Sequence, residues 1–223
     1  MSGLEPVPRQ RNMVDKHGER QDMVRRGIVV GCVLALAAVP LAGCVGAVVG
    51  AGAAAVTAAA EERGLKGAAI DLGIRAEING LWLDRDVDMY RAAAITVHER
   101  RVLLTGTVAT PKARVEAVRL AWRAKNVREV INEISVGKAT AIATDVHDGW
   151  ITARLKSRLA FDDRVQAINY SIETASGVVY LMGIAQNKAE IRRVRNHARG
   201  ISYVRRIVSY VRLKDDPRRR PLK

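Results

Sequence analysis

The chain has little of what most catalytic or disulfide-stapled proteins rely on. Its 223 residues include two cysteines, four histidines, six prolines and one phenylalanine, and aromatic residues make up 4%. So few cysteines exclude a disulfide framework and a cysteine-built metal site. After the N-terminal region the histidines are His98, His147 and His197, none at ligand spacing or beside a nucleophile motif. That pattern points to surface or edge residues, no enzyme and no cofactor. Acidic residues are outnumbered, 23 against 37 Lys and Arg, for a formal charge of +14. A polyanion or an anionic membrane surface is the partner such a chain attracts, and the compartment decides which. A hydrophobic fraction of 48% excludes a disordered chain.

Long apolar runs are missing except near the start, and that run sets the compartment. Met23-Val24-Arg25-Arg26 is a basic opening, residues 28–40 are apolar, and Leu41-Ala42-Gly43-Cys44 follows. This is the order of a signal peptide, residues 1–43, with Met23 as the better start. The tetrapeptide resembles the bacterial lipobox, whose cysteine is acylated and becomes the mature N-terminus; Cys44 is therefore the lipidation site. Two other readings compete: an uncleaved membrane helix over 28–60, and Cys32 as the lipobox cysteine, which almost no apolar segment precedes. Cleavage before Cys44 leaves 31 basic and 19 acidic residues, so the positive charge belongs to the folded part. Residues 44–66, rich in Gly, Ala and Val up to residue 60, read as a tether.

From residue 70 onward the chain overlays itself at a spacing of 77: Val102 on Val179, Leu104 on Leu181, Gly106 on Gly183, Ala121 on Ala198, Val130 on Ile207. A one- or two-residue insertion is expected earlier, where Ala175-Ser176-Gly177 reads as a longer hairpin turn than Glu99-Arg100-Arg101. Each repeat opens with a helix, marked by Ile74, Ile78, Leu81 and Trp82 and by Ile151, Leu155 and Leu159. A hairpin follows, then a second helix capped by Thr110-Pro111 or Asn187, then a strand over 127–136 or 204–213. The predicted class is α+β: two tandem domains, 67–136 and 147–213, each helix-strand-strand-helix-strand, with two helices on one face of a small three-stranded mixed sheet. The other face is left free to bind. Residues 137–146 read as a linker and 214–223 as a basic tail, with Arg218-Arg219-Arg220 disordered and loosely electrostatic. Asp84, Asp86 and Asp88 alternate like a cation loop but lack its glycine and terminal glutamate, so they read as solubility residues.

The repeat resembles the BON domain. The residues that carry the likeness are Val102-Leu103-Leu104-Thr105-Gly106, Ala117, Ala121 and Val127-x-x-Val130, then Val179-Tyr180-Leu181-Met182-Gly183, Ala198 and Val204-x-x-Ile207. Asn126 and Tyr203 stand where the family often has glycine before that valine. With the lipobox and the tether, the arrangement is similar to the dual-BON outer-membrane lipoproteins. The resemblance implies a protein anchored in the outer membrane and facing the periplasm. It further implies binding of anionic phospholipid, phosphatidylglycerol or cardiolipin, through the first helix of the second unit, and support of envelope integrity.

On that helix, Trp150, Arg154, Ser157 and Phe161 cluster beside the core stripe, with Arg158 at the edge. An indole among headgroups and arginines on phosphates suit an interfacial contact, each cation adding about 1 kcal/mol. The competing reading has Phe161 and Trp150 covering the core's edge and the arginines merely solvated. A protein-interaction scaffold for envelope assembly, without lipid binding, is the alternative function. Arg192, Arg193, Arg195 and Arg199 read as a solvated helix face, and export argues against nucleic acid.

Overall fold

The computed structural model describes residues 60–137 and 142–219. Cys44 and the signal-peptide reading therefore lie outside the described residues, as does the tether up to residue 59. The chain from Ala55 to Lys223 is one unit with two similar halves.

Helix α1 (Gly64–Arg85) begins inside the stretch read as tether and buries Ile74, Ile78 and Trp82 at four-residue spacing. It ends where Asp86 turns extended. The Asp86 carboxylate then accepts from the amides of Asp88 (2.9 Å) and Met89 (3.0 Å), capping the short α2 (Val87–Ala92). Asp86, expected to serve solubility, is thus an N-cap. Strands β1 (Ala93–His98) and β2 (Arg101–Val108) pair antiparallel. Thr110 caps α3 (Pro111–Arg123) through the Ala113 amide at 3.1 Å. The chain then returns parallel to β2 as β3 (Glu129–Asn132) and β4 (Ser135–Val136).

The single strand expected over 127–136 is interrupted because the Asn132 side chain accepts from the Ile134 amide at 3.1 Å, drawing the backbone away from the ladder. The second half carries Ser209 at the corresponding place, and its last strand is continuous. There α4 (Ile142–Ala160) and one 3₁₀ turn (Ala167–Asn169) precede β5 (Tyr170–Ala175) and β6 (Val178–Ala185). Helix α5 (Lys188–Arg199), capped by Asn187, leads to β7 (Arg206–Leu213), parallel to β6. Each half is thus an α+β unit with the sheet order first-second-third.

The expected insertion is absent. Ile95 pairs with Leu104 and Ile172 with Leu181; Ala93 pairs with Gly106 and Tyr170 with Gly183. The 77-residue offset thus holds through both hairpins, and each turn has two central residues, Glu99-Arg100 and Ser176-Gly177, all at positive φ. Positive φ at both positions matches the twist of the flanking strands, so the geometry is kept even where the residues are not turn formers. A buried aspartate from the first helix clamps each turn. Asp71 accepts from Glu99 N (2.8 Å) and Arg100 N (2.7 Å), and Asp148 from Ser176 N (2.6 Å) and Gly177 N (2.7 Å).

The sheet faces away from the helices are not free: they pack on each other. Leu103 of β2 meets Tyr180 and Met182 of β6, flanked by Ile131, Val208 and Tyr210. Leu103 and Tyr180 are equivalent positions, as are Glu133 and Tyr210, whose hydroxyl donates to the Glu133 carboxylate. Arg101 donates to Glu129 and to the Tyr210 carbonyl, both at 2.8 Å, and Arg212 also pairs with Glu129 at 2.7 Å. Two half-apolar sheets of this size cannot leave such rings in water without cost, so each covers the other.

The tail departs from expectation as well. The Arg219 side chain is 6% exposed and pairs with Glu99 at 2.7 Å, tying the end of the second half to the first hairpin. Arg218 chelates Asp216, while Arg220 lies outside the described residues. His98, expected at the surface, is 3% exposed. Burial, then the charges of Arg63, Arg101 and Arg219, push its pKa down to about 3.

Because the unfolded imidazole titrates near 6.5, the unfolded chain binds more protons than the folded one between about pH 3 and 6.5. Stability should therefore fall as pH drops through that window, by up to about 1.4 kcal/mol per unit. Urea titrations across the window should show a flatter slope for His98→Gln than for the wild type. Parallel slopes would remove His98 from the account.

Candidate functional site

The first helix of the second half has two sides. Ile151, Leu155 and Leu159 are buried in the core. At 100° per residue Trp150, Arg154, Ser157 and Phe161 fall together on the other side, and all four are exposed. Phe161 sits one residue past the helix, its amide still bonded to the Ser157 carbonyl at 3.3 Å, so its ring extends the same line. Phe161 is 87% exposed and Trp150 46%, so neither is a cover for the core. The eleven residue steps from one to the other span about 16 Å of helix. Arg154 forms no hydrogen bond or ion pair among the described residues.

Arg158 differs from its neighbours. Its Nη1 donates to the carbonyls of His197 (3.1 Å) and Gly200 (2.9 Å), where α5 ends with orphan acceptors and a partial negative charge. It locks α4 to α5 in addition to lending charge to the surface.

Tyr203, read from sequence only as a departure from glycine, belongs to the same surface. Its φ of +68 matches that of its counterpart Asn126. Asparagine tolerates the left-handed region, whereas a bulky ring there is held against an intrinsic cost of about 1–3 kcal/mol. The ring is 62% exposed. It stacks on His147 at 4.3 Å and meets Trp150 edge-on at 6.2 Å. Three rings thus form a shelf at one end of the α4 face. Periodicity along one helix could not reveal it, because Tyr203 arrives from the loop after α5.

At the other end of the face lies an open concavity of about 490 Å³ between the end of α4 and α5, lined by arginines, His197 and Asp162. The Asp162 carboxylate bonds His197 Nε2 at 2.8 Å, and that bond, with nearby arginines, holds its pKa below the usual range. Of the α5 cations, Arg192 and Arg199 are solvated as expected, whereas Arg193 and Arg195 are half-buried.

The corresponding face of α1 has Gly73, Glu77, Gly80, Leu81 and Asp84, with no ring and two carboxylates. One half therefore presents aromatic and basic groups where the other presents acidic ones. Elsewhere, a groove of about 600 Å³ between the halves is bordered largely by small residues such as Ala93, Gly106, Gly149 and Ala153. Among the described residues, no three His, Cys, Asp or Glu gather to hold a metal ion, and no helix is long and apolar enough to cross a membrane.

The family model of the BON domain matches residues 73–138 and again 147–215. The chain belongs to the BON-domain family. Both BON domains keep the glycine at which the hairpin pairing ends, two residues before the second strand does, and in both it is obligatory. A Cβ on Gly106 would lie 2.3 Å from the Ala92 carbonyl, and one on Gly183 would lie 2.0 Å from that of Asn169.

Among relatives, the outer membrane lipoprotein DolP of Haemophilus influenzae is 31% identical over 179 residues, 78% of this chain and 91% of DolP. The uncharacterized protein in the gshII 5′ region of Anaplasma centrale is 42% identical over 133 residues, 59% of this chain and 88% of that protein. The 21 kDa hemolysin of Actinobacillus pleuropneumoniae is 34% identical over 134 residues, 58% of this chain and 69% of its own. The aromatic and basic face thus belongs to the second of two BON domains.

Proposed function

We propose that this chain is an envelope lipoprotein, anchored through Cys44 in the outer membrane and facing the periplasm. Its second BON domain lays the outer face of α4 on anionic phospholipid, and by that contact supports envelope integrity. The observation that carries the proposal is the pair of rings, Trp150 and Phe161, exposed on one line with Arg154 and Ser157 between them. Two aromatic side chains held in water at such exposure gain by entering the headgroup layer, while an unpaired guanidinium meets phosphate. Sheet-to-sheet packing supports the same choice of surface, since it covers the faces that the two domains would otherwise offer. The relationship to a named outer membrane lipoprotein supports the location. The tether would hold the domain near the bilayer and raise its effective concentration there.

The test is flotation of a soluble form, Ala55–Lys223, with vesicles of phosphatidylcholine containing phosphatidylglycerol or cardiolipin. Binding should fall as salt screens the headgroups. Trp150→Ala with Phe161→Ala should weaken it by about tenfold or more, with an unchanged circular dichroism spectrum. If vesicles are ignored, or the double variant binds like the wild type, a protein-interaction scaffold becomes the better description.

A further inference from the structure

Resting on the lipid reading above, we infer that the concavity between the end of α4 and α5 is a seat for a phosphodiester headgroup. Asp162 occupies that seat as an internal competitor. Arg158 from α4, Arg164 from the following loop, and Arg192, Arg193 and His197 from α5 line it around this carboxylate. Asp162 is fixed there by its own backbone, since its Oδ1 accepts the Arg164 amide at 3.1 Å. Its Oδ2 takes the imidazole of His197 at 2.8 Å.

The guanidiniums of Arg164 and Arg193 stop farther away, at 3.5 and 3.9 Å. These are too long for the close, paired hydrogen bonds that guanidinium makes with a fitting anion. The carboxylate is therefore shared loosely by an excess of cations, and a larger tetrahedral anion with more oxygens would close those gaps. Arg192 is exposed and forms no ion pair among the described residues, so one charge is wholly uncommitted.

Position adds a second argument. Phe161, the most exposed large apolar side chain of the described residues, immediately precedes Asp162. A ring inserted at the acyl boundary would bring the next residue and its arginines to headgroup depth. The first domain has Asp84 and Arg85 at the places of Phe161 and Asp162, so the arrangement is specific to the second.

Three variants of Ala55–Lys223 test the inference on phosphatidylglycerol vesicles. Asp162→Asn keeps the oxygen that accepts the Arg164 amide but removes the competing charge, and should bind about fivefold tighter. Arg192→Ala with Arg193→Ala should bind about 10- to 30-fold weaker. Arg114→Ala with Arg123→Ala, an equal loss of charge on α3, should change binding less than twofold. If the α3 pair loses as much as the α5 pair, or Asp162→Asn binds no tighter, the attraction is diffuse and the seat is refuted while the lipid reading stands.

A second arm follows the His197 ring by NMR during titration with inorganic phosphate. A saturable shift that is lost in the Arg192/Arg193 variant supports the seat. That same shift in a protein that ignores vesicles would keep the phosphate chemistry and overturn its lipid source. No response in either arm overturns both.

Discussion

Gly183→Ala should lower the stability of the protein by about 3–6 kcal/mol, enough to leave the second BON domain largely unfolded near physiological temperature. The added methyl would sit 2.0 Å from the Asn169 carbonyl, at the end of the 3₁₀ turn, and 3.0 Å from the Tyr170 Cα, which opens β5, both backbone atoms that cannot swing aside. The φ of +137 adds a second cost, because an L side chain rarely adopts it. A far-ultraviolet urea titration would show the midpoint collapse. Gly149→Ala is the matched contrast, on α4 with nothing within 4 Å of the new methyl, and should raise stability by up to about 1 kcal/mol. Equal midpoints for Gly183→Ala and wild type would mean that β6 and the chain before β5 do not approach so closely.

Asp71→Ala should cost about 3–4 kcal/mol, more than Asp148→Ala at about 2. Both aspartates are buried and each receives two turn amides. The first also holds Arg63 at 2.8 Å, and its turn places two side-chain-bearing residues, Glu99 and Arg100, at positive φ. The second turn has Gly177, which adopts positive φ without penalty and needs the clamp less. Chemical denaturation of the two single variants decides the order. A larger loss at Asp148 would remove the clamp argument.

Much of this architecture was legible because it depends on local periodicity. Ile74, Ile78 and Trp82, like Ile151, Leu155 and Leu159, lie where helical spacing placed them, and Thr110 and Asn187 cap the helices that their positions announce. The repeat itself is visible in the sequence, yet local reading expects an insertion in the hairpin because Ala175-Ser176-Gly177 reads as a longer turn than Glu99-Arg100-Arg101. The turn forms there under a constraint from Asp71, 28 residues upstream of Glu99, which local reading does not see.

The candidate surface was legible only in outline. Trp150, Arg154, Ser157 and Phe161 share a face by angular spacing alone, but the exposure of the rings depends on what else packs nearby. Angular spacing puts Arg158 at the edge of that face, but its engagement with the carbonyls of His197 and Gly200 requires α5 to end beside it. Tyr203 stands out in the sequence only as an exception to glycine, and its stacking on His147 joins residues 56 positions apart.

By itself the sequence determined the order of elements, the duplication at 77 residues, the helix caps, the two glycines and the basic surplus, since each follows from side-chain size, charge or spacing within a short window. Only the tertiary structure decided that the sheets bury each other, that His98 and Arg219 lie inside, and that the rings of the second domain stay outside. The physical reason is that burial is a property of surfaces meeting across distant stretches of chain, and no local pattern specifies which surface arrives.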